Sequence, residues 1–438
     1  MRKSQETVYR ERALLVGVAV GTQESDEGEE LEALARTAGA EVVARAFQRL
    51  ERPHPRALLG AGKVEELAAQ VERERLSVVL VDHDLTPAQV RNLETLLKVK
   101  VVDRTELILD IFATHARTAQ AKLQVELAQL EYVMPRLRRM WTHLGQQVGG
   151  APGVAGGAVG IGQRGPGEKQ IEVDRRLAQD RIAELKRELG RLGARKAREV
   201  AARVSDTQAV SLVGYTNAGK STLMNRLTDA GVLVEDRLFS TLDTRTRLWK
   251  LAGGMKVLLS DTVGFIRKLP HSLVSSFHAT LEEVSQADLL LHVVDASAPD
   301  APAQIRAVER VLGEIGADQK EMVLVFNKID RFRDPLEAAV IQSAHPGALA
   351  ISAATGAGIE ALEARVTEIL SRNYLELEVE IPAADGRLLA DVYTYGVVRA
   401  RAYEGDRVRL TVRMARRHRY KLAAYEVDGR AGPPGASR

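Results

Sequence analysis

Cysteine is absent from the 438 residues. This excludes disulfides, thiolate metal sites and cysteine nucleophiles together, and it fits a reducing compartment. Aromatic residues make up only 4% of the chain, so its cores must be aliphatic, built from Leu, Val, Ile and Ala. No stretch approaches the roughly 20 apolar residues that a membrane span needs. The N-terminal MRKSQETVYRERALLVGVAV carries charges of both signs before a short apolar run, and no small-residue cleavage site follows, unlike a secretory signal. His54, His83, His115 and His143 are scattered, without metal-ligand spacing, so no zinc site is assigned. A cytoplasmic protein without a membrane span is expected. Nothing demands an oligomer, and a monomer is expected.

What is present is ordinary globular material, 45% apolar and 28% charged, in a chain long enough for two to four domains. The net charge is only +3, but it is unevenly placed. Arg164 to Arg203 holds 12 Lys/Arg against 7 Asp/Glu, a net of +5, and Arg387 to Arg430 holds 11 against 5, a net of +6. Either segment alone reads as a solvated face. Two of them flanking one domain point to a polyanionic partner such as RNA.

Hydrophobic patterning divides the chain into an α/β multidomain protein. Residues 1–112 alternate strand-like runs (Ala13–Val20, Ser77–Val81, Val99–Val102) with a helical stretch over Glu27–Ala38, the mark of an α/β domain with a mostly parallel sheet. Residues 113–206 form a helical hairpin linker. Its first arm carries a stripe at Leu123, Leu127, Leu130 and Met134 and is expected to break or kink at Pro135. Its second arm has a narrow seam at Ile171, Leu177, Ile182, Leu185, Leu189 and Leu192, with an expected break at Gly190 and Gly193. Between the arms, 10 of the 23 residues from Gly145 to Gly167 are glycine, too many to build a core. Residues 207–373 return to alternating strands and helices, a doubly wound, mostly parallel sheet, with strands at Ala209–Val213, Val257–Leu259, Leu289–Val294, Met322–Phe326 and Leu349–Ile351. Residues 374–438 form a small α+β C-terminal domain, with strands expected at Glu376–Ile381, Val408–Val412 and Ala423–Val427.

The third segment carries the chemistry. Gly214-Tyr215-Thr216-Asn217-Ala218-Gly219-Lys220-Ser221 matches G-x-x-x-x-G-K-[ST], follows the strand Ala209–Val213 and precedes a helix, the context this motif requires. Its glycines let the backbone wrap phosphates, and amides at the helix N-terminus face the anionic oxygens. Lys220 reaches the β/γ-phosphates and Ser221 offers its hydroxyl to Mg²⁺. Asp261-Thr262-Val263-Gly264 follows a strand, with Asp261 placed to hold Mg²⁺ through water and Gly264 to offer an amide to the γ-phosphate. Asn327-Lys328-Ile329-Asp330 ends another strand. The Asp330 carboxylate accepts from guanine N1–H and its exocyclic amine, a donor pair that adenine lacks, which selects GTP/GDP over ATP. The stem of Lys328 lies along the base, and a backbone amide of Ser352-Ala353-Ala354 meets guanine O6. These motifs sit at strand ends, where doubly wound sheets bind ligands. The set is similar to the translation-factor-like class of GTPases.

Between Gly231 and Leu248 lies the first switch loop, with Phe239-Ser240-Thr241-Leu242-Asp243. A threonine there completes the Mg²⁺ shell. Thr241, Thr244 and Thr246 are alike on spacing, and Thr241 is favoured because the stretch resembles an F-[AS]-T-L-D signature. Many GTPases carry Gln directly after DxxG to orient the attacking water; here Phe265 stands there and cannot hydrogen-bond water. Intrinsic turnover should be slow, or another group must act. Asn217 resembles the Asn with which some glutamine-lacking GTPases hold K⁺. Its plain reading is a loop residue in an unusual backbone conformation.

Nearly the whole chain, from about Leu14 to about Val427, resembles the HflX family of GTPases. The resemblance rests on Leu59-Gly-Ala-Gly-Lys63 with Val64-Glu-Glu-Leu67, on the linker motif from Ala121 to Tyr132 (AKLQVELAQLEY), on Gly160-Ile-Gly-Gln-Arg-Gly-Pro-Gly-Glu168, and on Asp261-Thr-Val-Gly-Phe265. It departs from the family at Ala151–Gly156, an insertion-like run, and at Lys169. The resemblance implies a GTPase that binds the large ribosomal subunit through ribosomal RNA, in ribosome splitting, rescue or maturation, with the glycine-rich tip near the peptidyl-transferase region. Gly60-Ala-Gly62-Lys63 is a poor second P-loop, since Ala57 takes the place of the first glycine and Val64 that of the Ser/Thr. It reads better as a turn and helix start. Two other readings stand beside a ribosome-associated GTPase. One is an RNA-processing enzyme gated by the nucleotide domain, for which no second active site is visible. The other is a GTP-dependent switch acting on a protein partner without ribosome coupling.

Overall fold

The structure, a computed structural model, describes residues 8, 10–20, 28–140, 166–203, 208–228, 238–239, 244–251, 254–267, 283–332, 334, 336–372 and 374–427. Three sheets and a pair of long helices organise them.

The first sheet has strands β1 (Arg12–Val20), β2 (Glu41–Leu50), β3 (Val78–Val81) and β4 (Lys100–Asp103) in the order β2-β1-β3-β4, all parallel. Helices α1 (Glu29–Thr37), α2 (Ala61–Glu74) and α3 (Pro87–Leu97) make the crossovers, and α4 (Arg104–His115) follows β4 directly. All four residues of β3 are buried, as a parallel strand covered on both faces must be. Leu14 and Leu15 are adjacent in β1 and enter different aliphatic cores, one on each side of the sheet, which is the period-two alternation of a strand. β2, whose sequence EVVARAFQRL mixes charges among its apolar residues, is an edge strand and gives no clean alternation to read. Local chemistry fixes the helix starts. Thr86 and Gln89 form a capping box on α3, with Pro87 at its first turn, and Asp103 caps α4 by accepting from Glu106 N at 2.9 Å.

Two long helices follow, α5 (Ala119–Met140) and α6 (Pro166–Arg203). They lie against each other through a bidentate Arg181–Glu126 pair at 2.8 and 3.0 Å and a Lys186–Glu131 pair at 2.8 Å. Three details differ from the sequence reading. α5 runs through Pro135 without ending. α6 is unbroken across Gly190 and Gly193; its long run of good helix formers carries the cost of about 1 kcal/mol per glycine. Within the seam, Leu185 is fully buried but Leu177 is 58% exposed, so the packed part begins beyond it. Most of the glycine-rich segment lies outside the described residues. Among the described residues no helix is long and apolar enough to cross a membrane.

The second sheet comprises β5 (Gln208–Gly214), β6 (Arg245–Lys250), β7 (Lys256–Asp261), β8 (Leu289–Asp295), β9 (Met322–Asn327) and β10 (Leu349–Ala350), ordered β10-β9-β8-β5-β7-β6. Only β6 is antiparallel to its neighbour. Helices α7 (Lys220–Thr228), α8 (Ala301–Glu314), α9 (Leu336–Ala344) and α10 (Ile359–Ser371) accompany it. β6, much of it in the segment whose sequence predicts a switch loop, has five of its six residues outside the core and buries only Trp249. The third sheet is antiparallel, β11 (Tyr374–Pro382), β13 (Arg407–Ala415) and β12 (Gly396–Glu404) in that order, with α11 (Gly386–Tyr395) packed against it. The strand expected over Ala423–Val427 is instead a short 3₁₀ turn, Ala423–Tyr425, with a single bridge from Val379 to Glu426. β12, whose residues are nearly all outside the core, is the strand that the apolar pattern did not reveal.

Candidate nucleotide-binding site

β5 is central, with β7 on one side and β8 on the other, so the loop after it opens at the point where the strand order reverses. Gly214 has φ +149°, and a Cβ there would lie 2.2 Å from the Val293 carbonyl oxygen. The first glycine of the motif is thus required by the neighbouring strand before any phosphate is considered. Asn217 has φ +61°, a left-handed conformation that Asn tolerates better than most residues. Lys220 and Ser221 open α7.

Lys220 is buried, and its ammonium donates to the carbonyls of Gly214 (3.0 Å) and Tyr215 (2.7 Å). Burial pulls its pKa down to about 8, with nearby Lys328 acting the same way and Asp261 opposing. Ser221 Oγ donates to Asp261 Oδ2 at 2.7 Å. A hydroxyl and a carboxylate at a helix N-terminus form an all-oxygen donor set, the kind that suits Mg²⁺. Thr262 Oγ1 donates to the Leu212 carbonyl at 2.7 Å, which ties the DxxG segment to β5. Gly264 sits so close that a Cβ would lie 2.8 Å from Thr216 Cα and 3.0 Å from Lys220 Nζ. The P-loop (Gly214–Ser221) and the segment from Asp261 to Arg267, the expected second switch by its DxxG motif, are stitched together by Thr216 N to Phe265 O (2.8 Å) and Phe265 N to Gly214 O (3.1 Å). Phe265 itself is buried in an aliphatic core with Tyr215, Val263 and Ile266.

The segments expected to read the base converge on the same end of the sheet. Asn327 Nδ2 donates to Ala218 O (2.9 Å), and Asn327 Oδ1 accepts from Ala353 N (2.9 Å). One buried amide therefore cross-links the P-loop to the Ser352–Ala354 turn. Ser352 Oγ donates to Asp330 Oδ1 at 2.5 Å, orienting that carboxylate beside the Ser352–Ala354 turn. Sequence reading missed two residues here. Asp295, the last residue of β8, holds Lys328 Nζ at 2.7 Å, and Arg226 on α7 donates to the carbonyls of Ala353 (3.1 Å) and Ala354. Neither belongs to a motif, but Asp295 ends a buried strand beside β9, where a ligand-facing residue would fall. Of Phe239 to Asp243 in the first switch, Phe239 is described; Ser240, Thr241, Leu242 and Asp243 lie outside the described residues. Phe239 is buried with φ +57°, and its ring meets that of Phe112 edge-on at 4.6 Å.

The low pKa of Lys220 has a measurable consequence. Phosphate oxygens favour the ammonium form, so the pKa rises on binding and the complex takes up a proton once the free group has lost one. The Kd for GDP should therefore rise about threefold between pH 7 and 8.4, a range over which guanine N1 stays largely protonated. A fluorescent-GDP titration across that range checks this; a flat profile would contradict it.

Four stretches match known families in order: residues 25–113 the GTP-binding GTPase N-terminal family, 115–203 the GTP-binding GTPase middle region, 209–328 the 50S ribosome-binding GTPase family, and 339–432 the HflX C-terminal domain. GTPase HflX of Magnetococcus marinus is 48% identical over 83% of this chain and 82% of its own length. GTPase HflX of Escherichia coli is 45% identical over 92% and 93%. Among solved structures, a GTP-binding protein of Sulfolobus solfataricus in complex with GDP is 23% identical, covering 82% of this chain and 99% of that one, with a TM-score of 0.42. With a P-loop motif placed at the switch point of its central sheet, and relatives this similar along nearly its whole length, the chain belongs to the HflX family of GTPases.

Proposed function

We propose that this GTPase is a cytoplasmic switch on the large ribosomal subunit, its nucleotide state coupled to a two-helix arm that meets ribosomal RNA. The observation that carries this reading is the arm itself. α6 runs for 38 residues, far beyond what a nucleotide site needs, and the segment from Arg164 to Arg203 has a net charge of +5. Phosphate contacts by Lys and Arg are independent of sequence and weaken with salt. The matched family is described as a 50S ribosome-binding GTPase, which supports the same partner.

In this reading residues 1–112, 113–206, 207–373 and 374–438 are successive domains. Lys220 and the amides of Gly214 to Ser221 hold the phosphates. Ser221 and Thr241 would hold Mg²⁺, with Asp261 in support, and the bound ion would supply charge neutralisation at the phosphates. Gly264 N meets the γ-phosphate. Asp330 reads the guanine N1–H and amine edge, Lys328 covers the base, and an amide of the Ser352–Ala354 turn meets O6. Phe265 cannot orient water, so turnover is slow until Asn217-bound K⁺ or the ribosome assists.

The test is sedimentation with purified large subunits and a non-hydrolysable GTP analogue, alongside GTP turnover with and without subunits in matched K⁺ and Na⁺ buffers. Co-sedimentation that falls with salt and subunit-stimulated turnover are expected. Absence from the subunit fraction at low salt rejects the ribosomal partner and leaves a switch acting on another partner. Equal rates in the two buffers reject K⁺.

A further inference from the structure

Asp103 and Arg104 are consecutive, at the junction of β4 and α4, and both are buried. Their side chains serve different parts of the molecule. The fully enclosed Asp103 carboxylate accepts from Tyr132 OH and Arg136 Nη2, both on α5 and both at 2.6 Å, as well as from the backbone amides of Leu85 (3.1 Å) and Glu106 (2.9 Å). The Arg136 guanidinium also stacks 3.4 Å from the Tyr132 ring centroid. This is where the linker arm is fastened, and Tyr132 closes the motif that opens that arm.

Arg104 faces the other way. It pairs with Asp82 at 2.5 Å and with Glu30 at 3.0 Å, and it donates to the carbonyl of Arg267 in the second switch at 3.0 Å. Glu30 also accepts from the hydroxyl of Tyr215, the second residue of the P-loop, and that hydroxyl accepts from Arg267 N at 2.8 Å. Burial by itself would lower the pKa of Arg104, but Glu30 and Asp82 outweigh it and raise the value. A buried guanidinium depends on every partner it has. Any displacement of the second-switch segment would take away the Arg267 carbonyl and amide together, so the network would hold or rearrange as a unit. α4 touches the first switch as well, through Phe112 against Phe239, and Leu238 N donates to Thr37 on α1 at 3.3 Å.

We propose that Asp103 and Arg104 form the joint through which the nucleotide site and the arm set each other's position, Arg104 sensing the P-loop and second switch through Glu30 and Tyr215, and Asp103 holding the arm through Tyr132 and Arg136. Tyr132 is thereby a positioning residue for nucleotide discrimination, although it belongs to the arm and is bound to Asp103. The joint operates in the isolated protein, whether or not the ribosomal partner is correct.

The absence of cysteine makes the test direct. Gln179→Cys on α6 and Glu309→Cys on α8, both exposed, take spin labels for distance measurement in the full chain with GDP and with a non-hydrolysable GTP analogue. A shift in the distance distribution between the two nucleotides is expected, and its loss or broadening in Tyr132→Phe and in Tyr215→Phe. Linkage is reciprocal, so Tyr132→Phe should also change the ratio of GTP-analogue to GDP affinity by about threefold to tenfold, whereas a merely structural residue would leave that ratio alone. Identical distances with both nucleotides in the parent protein overturn the proposal, as does an unchanged affinity ratio in a folded Tyr132→Phe chain.

Discussion

Asp330→Asn is expected to weaken GTP binding by about 10²- to 10³-fold and to make the site accept xanthosine triphosphate. Guanine presents N1–H and an exocyclic amine, two donors that need an acceptor. Aspartate offers only acceptors, and its charge strengthens both bonds, each worth roughly 1.5–3 kcal/mol. Asparagine turns one of its faces into a donor, which meets the amine head-on but suits the carbonyl that xanthine carries there. Ser352 Oγ donates to Asp330 Oδ1 and can donate equally to an amide oxygen, so the side chain keeps its orientation and the loss is one of recognition. Competition titrations with GTP, xanthosine triphosphate and ATP check this. GTP affinity within threefold of the parent would remove Asp330 from the base-reading role.

Lys220→Ala is expected to lower kcat/KM for GTP by about 10³-fold, on the order of 4 kcal/mol. The ammonium is a desolvated charge in a buried site, where Coulombic interactions are poorly screened. Folding should survive the change. The depressed pKa reports that burying this ammonium costs the folded chain free energy, which its bonds to the Gly214 and Tyr215 carbonyls offset in part. An alanine chain with an unchanged melting temperature and near-parent turnover would remove Lys220 from the phosphate site. The pair of variants separates the two ends of the nucleotide, since Asp330→Asn changes which base binds and Lys220→Ala weakens every nucleoside triphosphate alike.

Much of this site can be read from the chain because its chemistry is local. A phosphate-wrapping turn needs glycine at set intervals, a lysine and a hydroxyl within one helical turn of each other, and a preceding strand; all of these are neighbours in sequence from Gly214 to Ser221. The aliphatic strands β3, β5 and β8 announce themselves because both faces are buried. β2, β6 and β12 do not, because each is an edge strand with at most one buried residue, too few to impose a pattern. The Ala423–Val427 run looked like a strand on composition, but it meets the third sheet through a single bridge from Val379 to Glu426. Arg226 and Asp295 stayed hidden because each acts on a residue distant in sequence, Ala353 and Lys328 respectively.

By itself, then, the sequence determined the family, the GTPase assignment and the fold class, all of which follow from residues close together along the chain. Tertiary structure decided how those segments address one another. Tyr215 is an unspecified position of the phosphate motif until Glu30, 185 residues away, accepts its hydroxyl. Asp103 and Arg104 are an unremarked pair at a strand end until folding points one at the arm and the other at the switches. The physical reason is desolvation. A charge that is solvated in the unfolded chain acquires a role only when burial forces it to find partners, and no local pattern specifies which partners the fold will bring.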